Sequence, residues 1–230
     1  YGKGFNNNMT NNNKRDKNKT AQEKFWLSKF GKTYMKRNGF TPQELDKFYI
    51  ENLGISRSQI NKEFIGNLNL KNTLEVGCNI GIQINMLQKH KHKLGQIYGI
   101  ELSPETVEAA KANTKNCNII QGSAFDIPFK DNYFDLVYTS GVLIHISPKD
   151  IPRALKEIHR VSKKYIWGCE YYAPKHENTA PYRGYADRQW RAPFAQVYMN
   201  LFPDLKLVKE KRYKYLKNEN INTSFLLKKS

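Results

Sequence analysis

Asn72-Thr73-Leu74-Glu75-Val76-Gly77-Cys78-Asn79-Ile80-Gly81 reads as a short buried strand, a tight glycine-containing turn and the start of a helix. A second apolar run, Gln96-Ile97-Tyr98-Gly99-Ile100-Glu101-Leu102-Ser103, carries a carboxylate 20 residues beyond Gly81. Strand, glycine turn, helix, strand and terminal acid make a nucleotide-binding βαβ unit. Gly77 and Gly81 permit backbone torsions and a close ligand approach that a Cβ would obstruct. Glu101, at the carboxyl end of the second strand, is placed to accept hydrogen bonds from ribose hydroxyls. The spacing is Glu-x-Gly-x-x-x-Gly rather than Gly-x-Gly-x-x-Gly. It favours S-adenosylmethionine (SAM), which has no pyrophosphate to cradle, over a dinucleotide.

At 230 residues the chain suits one α/β domain with modest additions. No apolar run approaches the ~18 residues of a membrane span, and no apolar leader opens the sequence; membrane insertion and a secretory signal are not expected. The chain begins at Tyr1, and Met9 is a candidate start. Cys78, Cys117 and Cys169 are odd in number and widely spaced. With no Cys/His cluster, no metal site and no disulfide framework are expected, which fits a reducing cytoplasm. The formal charge of +17 invites a nucleic-acid reading. The charge is concentrated, however. Residues 1–38 hold ten Lys/Arg against two acids, and residues 206–230 hold eight against two. Solvated charge, codon bias and an anionic small substrate explain it as well.

Residues 1–20 are Asn, Lys and Gly with almost no apolar side chains, the composition of a disordered tail. Phe25, Trp26, Phe30, Tyr34 and Met35 then recur at helical spacing, predicting one amphipathic helix over 21–37. Thr41-Pro42 starts another helix, and 56–68 a further one. Together, 21–69 form a helical cap ahead of a SAM-binding domain over 70–230. Strands are expected near 72–77, 96–101, 117–121, 134–139 and 163–171, and helices near 80–91, 104–114 and 149–162. Residues 172–187 read as an ordered loop within a substrate segment, 172–192, and a helix near 189–201 follows. Strands 205–215 and 221–228 should pair antiparallel at the sheet edge, where 221–228 offers a surface for pairing between subunits.

Two further constellations lie beyond the βαβ unit. Gly122-Ser123-Ala124-Phe125-Asp126-Ile127-Pro128-Phe129 follows the third strand. Tyr133 to Ser140 is an apolar strand that opens through Gly141 into Val142-Leu143-Ile144-His145-Ile146. Asp135, at the start of that strand, is away from the crevice where ligands bind and is assigned a structural role. His145 could be a general base, a substrate hydrogen-bond partner or a satisfied core residue.

In order and spacing, these segments from about 70 to 170 resemble class I SAM-dependent methyltransferases. The resemblance implies a Rossmann-like sheet, mostly parallel with an antiparallel edge strand, and implies SAM as cofactor with S-adenosylhomocysteine as product. It implies that Glu75, Gly77, Cys78, Asn79, Gly81, Glu101, Leu102, Ser123, Ala124 and Ser140 hold the cofactor. The adenine ring would lie at Gly122–Phe125. Where many members carry an acid after that glycine this chain has Ser123, so Asp126 or backbone carbonyls would take the contact. A narrower resemblance, to the pseudaminic-acid-biosynthesis-associated methylases, rests on four stretches: Glu23-Lys24-Phe25-Trp26 with Phe30-Gly31-x-x-Tyr34-x-x-Arg37-Asn38, Gly141 to Ile146, Tyr165-Ile166 with Glu170-Tyr171-Tyr172, and Pro181-Tyr182-Arg183-Gly184. It implies an enzyme of bacterial surface-sugar synthesis. Ala192-Pro193 departs from that family's pattern.

Methyl transfer is an in-line displacement in which the protein binds, aligns and desolvates. Candidate catalytic residues are His145, Glu170 and Tyr172. Arg37 could pair with the methionyl carboxylate or with substrate, or be a helix C-terminal cation. Tyr34, Tyr171, Tyr182, Arg183, Arg188 and Arg191 are candidate substrate-binding residues, the arginines as a grip for carboxylate or phosphate. The expected substrate is a small anionic metabolite, a sugar or a phosphorylated or phosphoramidate precursor of a bacterial surface glycan, methylated on oxygen. An RNA or DNA methyltransferase and a non-catalytic SAM-binding protein are the alternatives. No Asp/Asn-Pro-Pro-Tyr/Phe motif supports the first.

Overall fold

The computed structural model describes residues 19–37, 39–89, 94–179 and 181–230. The proposed tail, Met9 and Asn38 lie outside the described residues, apart from Lys19 and Thr20. Thr20 is the N-cap of the first helix, in a capping box with Glu23. The pattern over 21–37 forms two helices, α1 (Ala21–Leu27) and α2 (Lys29–Arg37), rather than one. Ser28 is extended, and its hydroxyl donates to the Phe25 carbonyl (2.6 Å) while accepting the Phe30 N–H (3.2 Å). Such local bonding competes with the helix. Thr41 and Ser56 cap α3 (Pro42–Leu53) and α4 (Arg57–Ile65), each through a full capping box.

The sheet follows from strands apolar on both faces. β1 (Leu70–Val76), β2 (Leu94–Glu101), β3 (Asn118–Gln121), β4 (Phe134–Ser140) and β5 (Ser162–Tyr171) run parallel. Near-continuous burial along β4 and β5 is what a doubly covered parallel sheet requires. Between them come α5 (Ile82–Lys89), α6 (Pro104–Asn113) and α7 (Ile151–Val161). In α7 the buried residues are Ile151, Ala154, Leu155, Ile158 and Val161, the single stripe of a surface helix. After β5 come β6 (Glu177–Asn178), β7 (Trp190–Arg191), α8 (Phe194–Leu201), β8 (Leu205–Lys214) and β9 (Ile221–Lys229).

The seven-stranded order is β3-β2-β1-β4-β5-β9-β8, a mostly parallel Rossmann-like sheet in which β9 runs antiparallel to both neighbours. β9 is therefore interior, not the exposed edge expected for 221–228. The edge is β8, whose Lys206, Lys211 and Lys214 are exposed, a common guard against edge-to-edge pairing. The helix expected over 189–201 begins only at Phe194. Pro193 disfavours helical torsions at Ala192, and Trp190–Arg191 instead pairs with Glu177–Asn178. Among the described residues, no helix is long and apolar enough to cross a membrane.

The strand order reverses between β1 and β4, so ligands should lie over their carboxyl ends. Asp135 sits at the opposite end. Its Oδ2 accepts the N–H groups of Lys71 (2.7 Å) and Asn72 (3.3 Å), and Lys164 approaches Oδ1 at 3.3 Å. Burial works to raise its pKa, but these partners outweigh burial and lower it. The structural role assigned to Asp135 fits this geometry. Asp135→Asn should cost about 1–3 kcal/mol in chemical denaturation. A depressed folded pKa means this stabilisation is present above the unfolded carboxylate pKa and lost as pH falls through the folded one.

Candidate active site

Three turns meet over the carboxyl edge. After β1, Gly77 and Cys78 donate their N–H groups to the Ile100 carbonyl (2.9 and 3.0 Å), and Asn79 carries φ +46°. Gly77 has φ +72°, and a Cβ there would sit 2.7 Å from Val142 Cγ2. The glycine lets the first turn pack against the turn after β4. Gly81 has φ +80°, and a Cβ there would meet Thr114 Cγ2 at 2.3 Å. It shapes the turn and, unlike the expectation for it, lines neither chamber described below. After β2, the Glu101 carboxylate accepts from Asn79 (2.9 Å), Leu102 (2.7 Å) and Ser103 (3.4 Å). Burial raises its pKa, and these three N–H groups oppose that rise.

Two joined chambers result. The first, of about 190 Å³, runs from Gly122–Phe125 past Glu101, Leu102 and Ser103 to Gly77, Asn79, Ser140 and Gly141. Helices α1 and α2 roof it with Gln22, Glu23, Trp26, Tyr34 and Met35. The second, of about 500 Å³, lies over the ends of β1, β4 and β5. It is lined by Arg37, Tyr49, Glu75, Cys78, Glu170, Tyr171, Tyr182, Arg183, Tyr215 and Asn222, among others. Tyr34, Gly77, Asn79, Ser140, Gly141 and His145 line both, so the junction is at these residues.

The sequence-derived cofactor set thus divides. Gly77, Asn79, Glu101, Leu102, Ser123, Ala124 and Ser140 line the first chamber, while Glu75, Cys78 and Arg37 line the second. Burial pushes the Glu75 carboxyl up to about 8, against the hydrogen bond it accepts from the Tyr138 hydroxyl (3.0 Å). Of the substrate set, Tyr34, Tyr171, Tyr182 and Arg183 line the second chamber. Arg188 and Arg191 do not join them. Arg188 lies over the Phe25 ring (4.8 Å) and donates to the Asp187 carbonyl. Arg191 is in the β6–β7 pair. Positive φ at Arg183 and Asp187 turns the segment, so the three arginines form no common grip. Tyr172 is also displaced. β5 ends at Tyr171, and the Tyr172 ring is covered by the Arg212 guanidinium at 3.8 Å.

His145 and Glu170 have distinct environments. His145 is buried in a short 3-10 turn, with Trp26 and Tyr182 ring centroids at 4.8 and 5.0 Å. Nδ1 is 2.8 Å from the Arg188 carbonyl, which can only accept; Nδ1 therefore holds the proton and Nε2 the lone pair. Burial pushes the imidazole down to about 4, so it is neutral at pH 7. Glu170 is buried and accepts the N–H groups of Val142 (3.2 Å) and Ile144 (3.4 Å), which fixes the turn that carries His145. Burial raises Glu170 to about 7, with these hydrogen bonds opposing.

The sequence reading missed Glu23 at the expected adenine position. Asp126 is exposed and lines neither chamber, whereas Glu23 Oε1 accepts the Ser123 hydroxyl at 2.7 Å. Tyr49, Tyr215 and Asn222 were likewise not anticipated in the second chamber. They come from the cap and from β8–β9, with no local motif to flag them.

Residues 74–165 match a family described as a methyltransferase domain. The chain is 32% identical over 96 residues to the 2-phytyl-1,4-naphtoquinone methyltransferase of Nostoc sp., covering 39% of this chain and 41% of that protein. It is 30% identical over 152 residues to the demethylmenaquinone methyltransferase of Staphylococcus aureus, covering 65% of this chain and 60% of the relative. The chain thus spans less than two thirds of these relatives' lengths. In fold it is similar to Burkholderia thailandensis 1,6-didemethyltoxoflavin-N1-methyltransferase with bound 1,6-didemethyltoxoflavin and S-adenosylhomocysteine. That likeness has a TM-score of 0.59 and 15% identity, over 75% of this chain and 76% of the other. The segment 74–165 is thus similar to methyltransferase domains, the class whose cofactor is SAM.

Nitrogen-detected NMR should show His145 as the neutral Nδ1–H tautomer, unchanged between pH 8 and 5. Its lowered folded pKa means the unfolded chain binds the extra proton. Stability should fall as pH drops from about 6.5, the ordinary value, towards about 4.

Proposed function

We propose that this protein is a SAM-dependent methyltransferase for a small anionic acceptor, a sugar acid or sugar phosphate being the leading class. The observation that supports it most is the pair of chambers meeting at His145, one lined by nucleoside-binding turns and the other by tyrosines with Arg37 and Arg183. The narrow first chamber fits the cofactor: Gly77 leaves open the space a side chain would fill, and Glu101 ends the second strand. When bound, SAM supplies an electrophilic methyl group on sulfonium.

The acceptor would enter the second chamber. Arg37 and Arg183 suit a carboxylate or phosphate, and the phenols of Tyr34, Tyr171 and Tyr182 both pack and hydrogen-bond. Burial raises the Tyr34 pKa first of all, with Tyr182 adding to it, so Tyr34 acts as a neutral phenol. His145 Nε2 offers an acceptor for the reacting hydroxyl. An imidazole pushed down to about 4 is a weak base in the ground state. It orients the hydroxyl and takes its proton as positive charge develops on oxygen. Glu170 acts as a positioning residue through the turn it fixes. The position of the enzyme in bacterial surface-glycan synthesis belongs to the same proposal. It is carried by the motif resemblance around Glu23–Trp26 and Pro181–Gly184.

Calorimetry should give micromolar SAM binding that is abolished in Gly77→Arg and weakened in Glu101→Ala. With an anionic sugar acceptor, Arg183→Ala should raise KM roughly tenfold to a hundredfold with little change in kcat. His145→Ala should lower kcat by about a hundredfold. No SAM binding would refute the proposal. Turnover on RNA alone, falling steeply with salt, would transfer it to a nucleic-acid substrate.

A further inference from the structure

We infer that Glu23 reads the exocyclic amine of the cofactor's adenine from the roof of the first chamber. This rests on the reading of that chamber as the SAM site. Glu101 ends β2 and marks the ribose position. The methyl-donating end must face His145 and the second chamber, beyond β1 and β4. The base therefore falls on the opposite side of Glu101, towards β3, against Gly122, Ser123, Ala124 and Phe125.

That end of the chamber holds a buried carboxylate from α1. Glu23 is 8% exposed; its Oε2 accepts the Thr20 N–H (2.8 Å) and its Oε1 the Ser123 hydroxyl (2.7 Å). A carboxylate oxygen accepts more than one hydrogen bond, so Oε1 keeps capacity for a ligand donor. The ligand edge that fits a carboxylate oxygen with a spare lone pair is an N–H donor, and at this end of the chamber that donor is the 6-amino group of adenine. A 6-oxo purine would turn an oxygen towards the carboxylate and be repelled. The same helix places Trp26 against His145 (4.8 Å), so base recognition and the junction share one element.

The test compares S-adenosylhomocysteine with S-inosylhomocysteine by calorimetry on the full chain. Wild type should favour the adenosyl ligand by roughly a hundredfold. Glu23→Gln preserves a capping box, since glutamine serves at that position, and should narrow the preference at least about tenfold. Thr20→Ala removes the cap but keeps the carboxylate and should retain the preference. An unchanged preference in Glu23→Gln, or an equal loss in Thr20→Ala, overturns the inference while leaving the SAM site intact. No binding of either ligand to wild type overturns the underlying reading instead.

Discussion

The site depends on Gly77 having no side chain. At φ +72°, with Val142 Cγ2 only 2.7 Å from where a Cβ would stand, no other residue lets the turn after β1 close onto the turn after β4. That closure sets the junction of the two chambers and presents Asn79 to both. The turn after β4 is held from the other side by Glu170, whose carboxylate accepts two of its N–H groups. His145 is thus fixed by backbone packing on one flank and by a buried acid on the other.

Burial then sets the chemistry. The imidazole is pushed down and stays neutral, while the Glu75 and Glu170 carboxyls are pushed up. The side chains of Arg37 and Arg183 lie towards the second chamber. An anionic acceptor of the kind proposed would meet attraction there. The large formal charge of the chain has no need of a polyanion to explain it. Much of it lies in the first 38 residues and in the last 25, of which β8 displays lysines along the sheet edge.

The sheet was legible because its parallel strands are buried on both faces and read as short apolar runs. The glycines of the first turn and the acid at the end of β2 were legible because their roles are local. The site was less so. Helical periodicity over 21–37 hid the break at Ser28, where one hydroxyl replaces backbone bonding. Arg183, Arg188 and Arg191 lie close in sequence, yet left-handed torsions in the loop send them to different surroundings. Glu23 reads in sequence as a capping-box acid. Its second role depends on Ser123, 100 residues away, a contact no local pattern records. The interior position of β9 was equally non-local, since pairing order at a sheet edge is set by the return path of the chain.

The roles of both chambers depend on where the cofactor lies, and a crystal structure with S-adenosylhomocysteine tests this most directly. Its sulfur should sit at the junction facing His145, its ribose hydroxyls on Glu101, and its base between Glu23 and Gly122–Phe125. A base found in the tyrosine-lined second chamber, or a sulfur turned away from His145, would contradict the account.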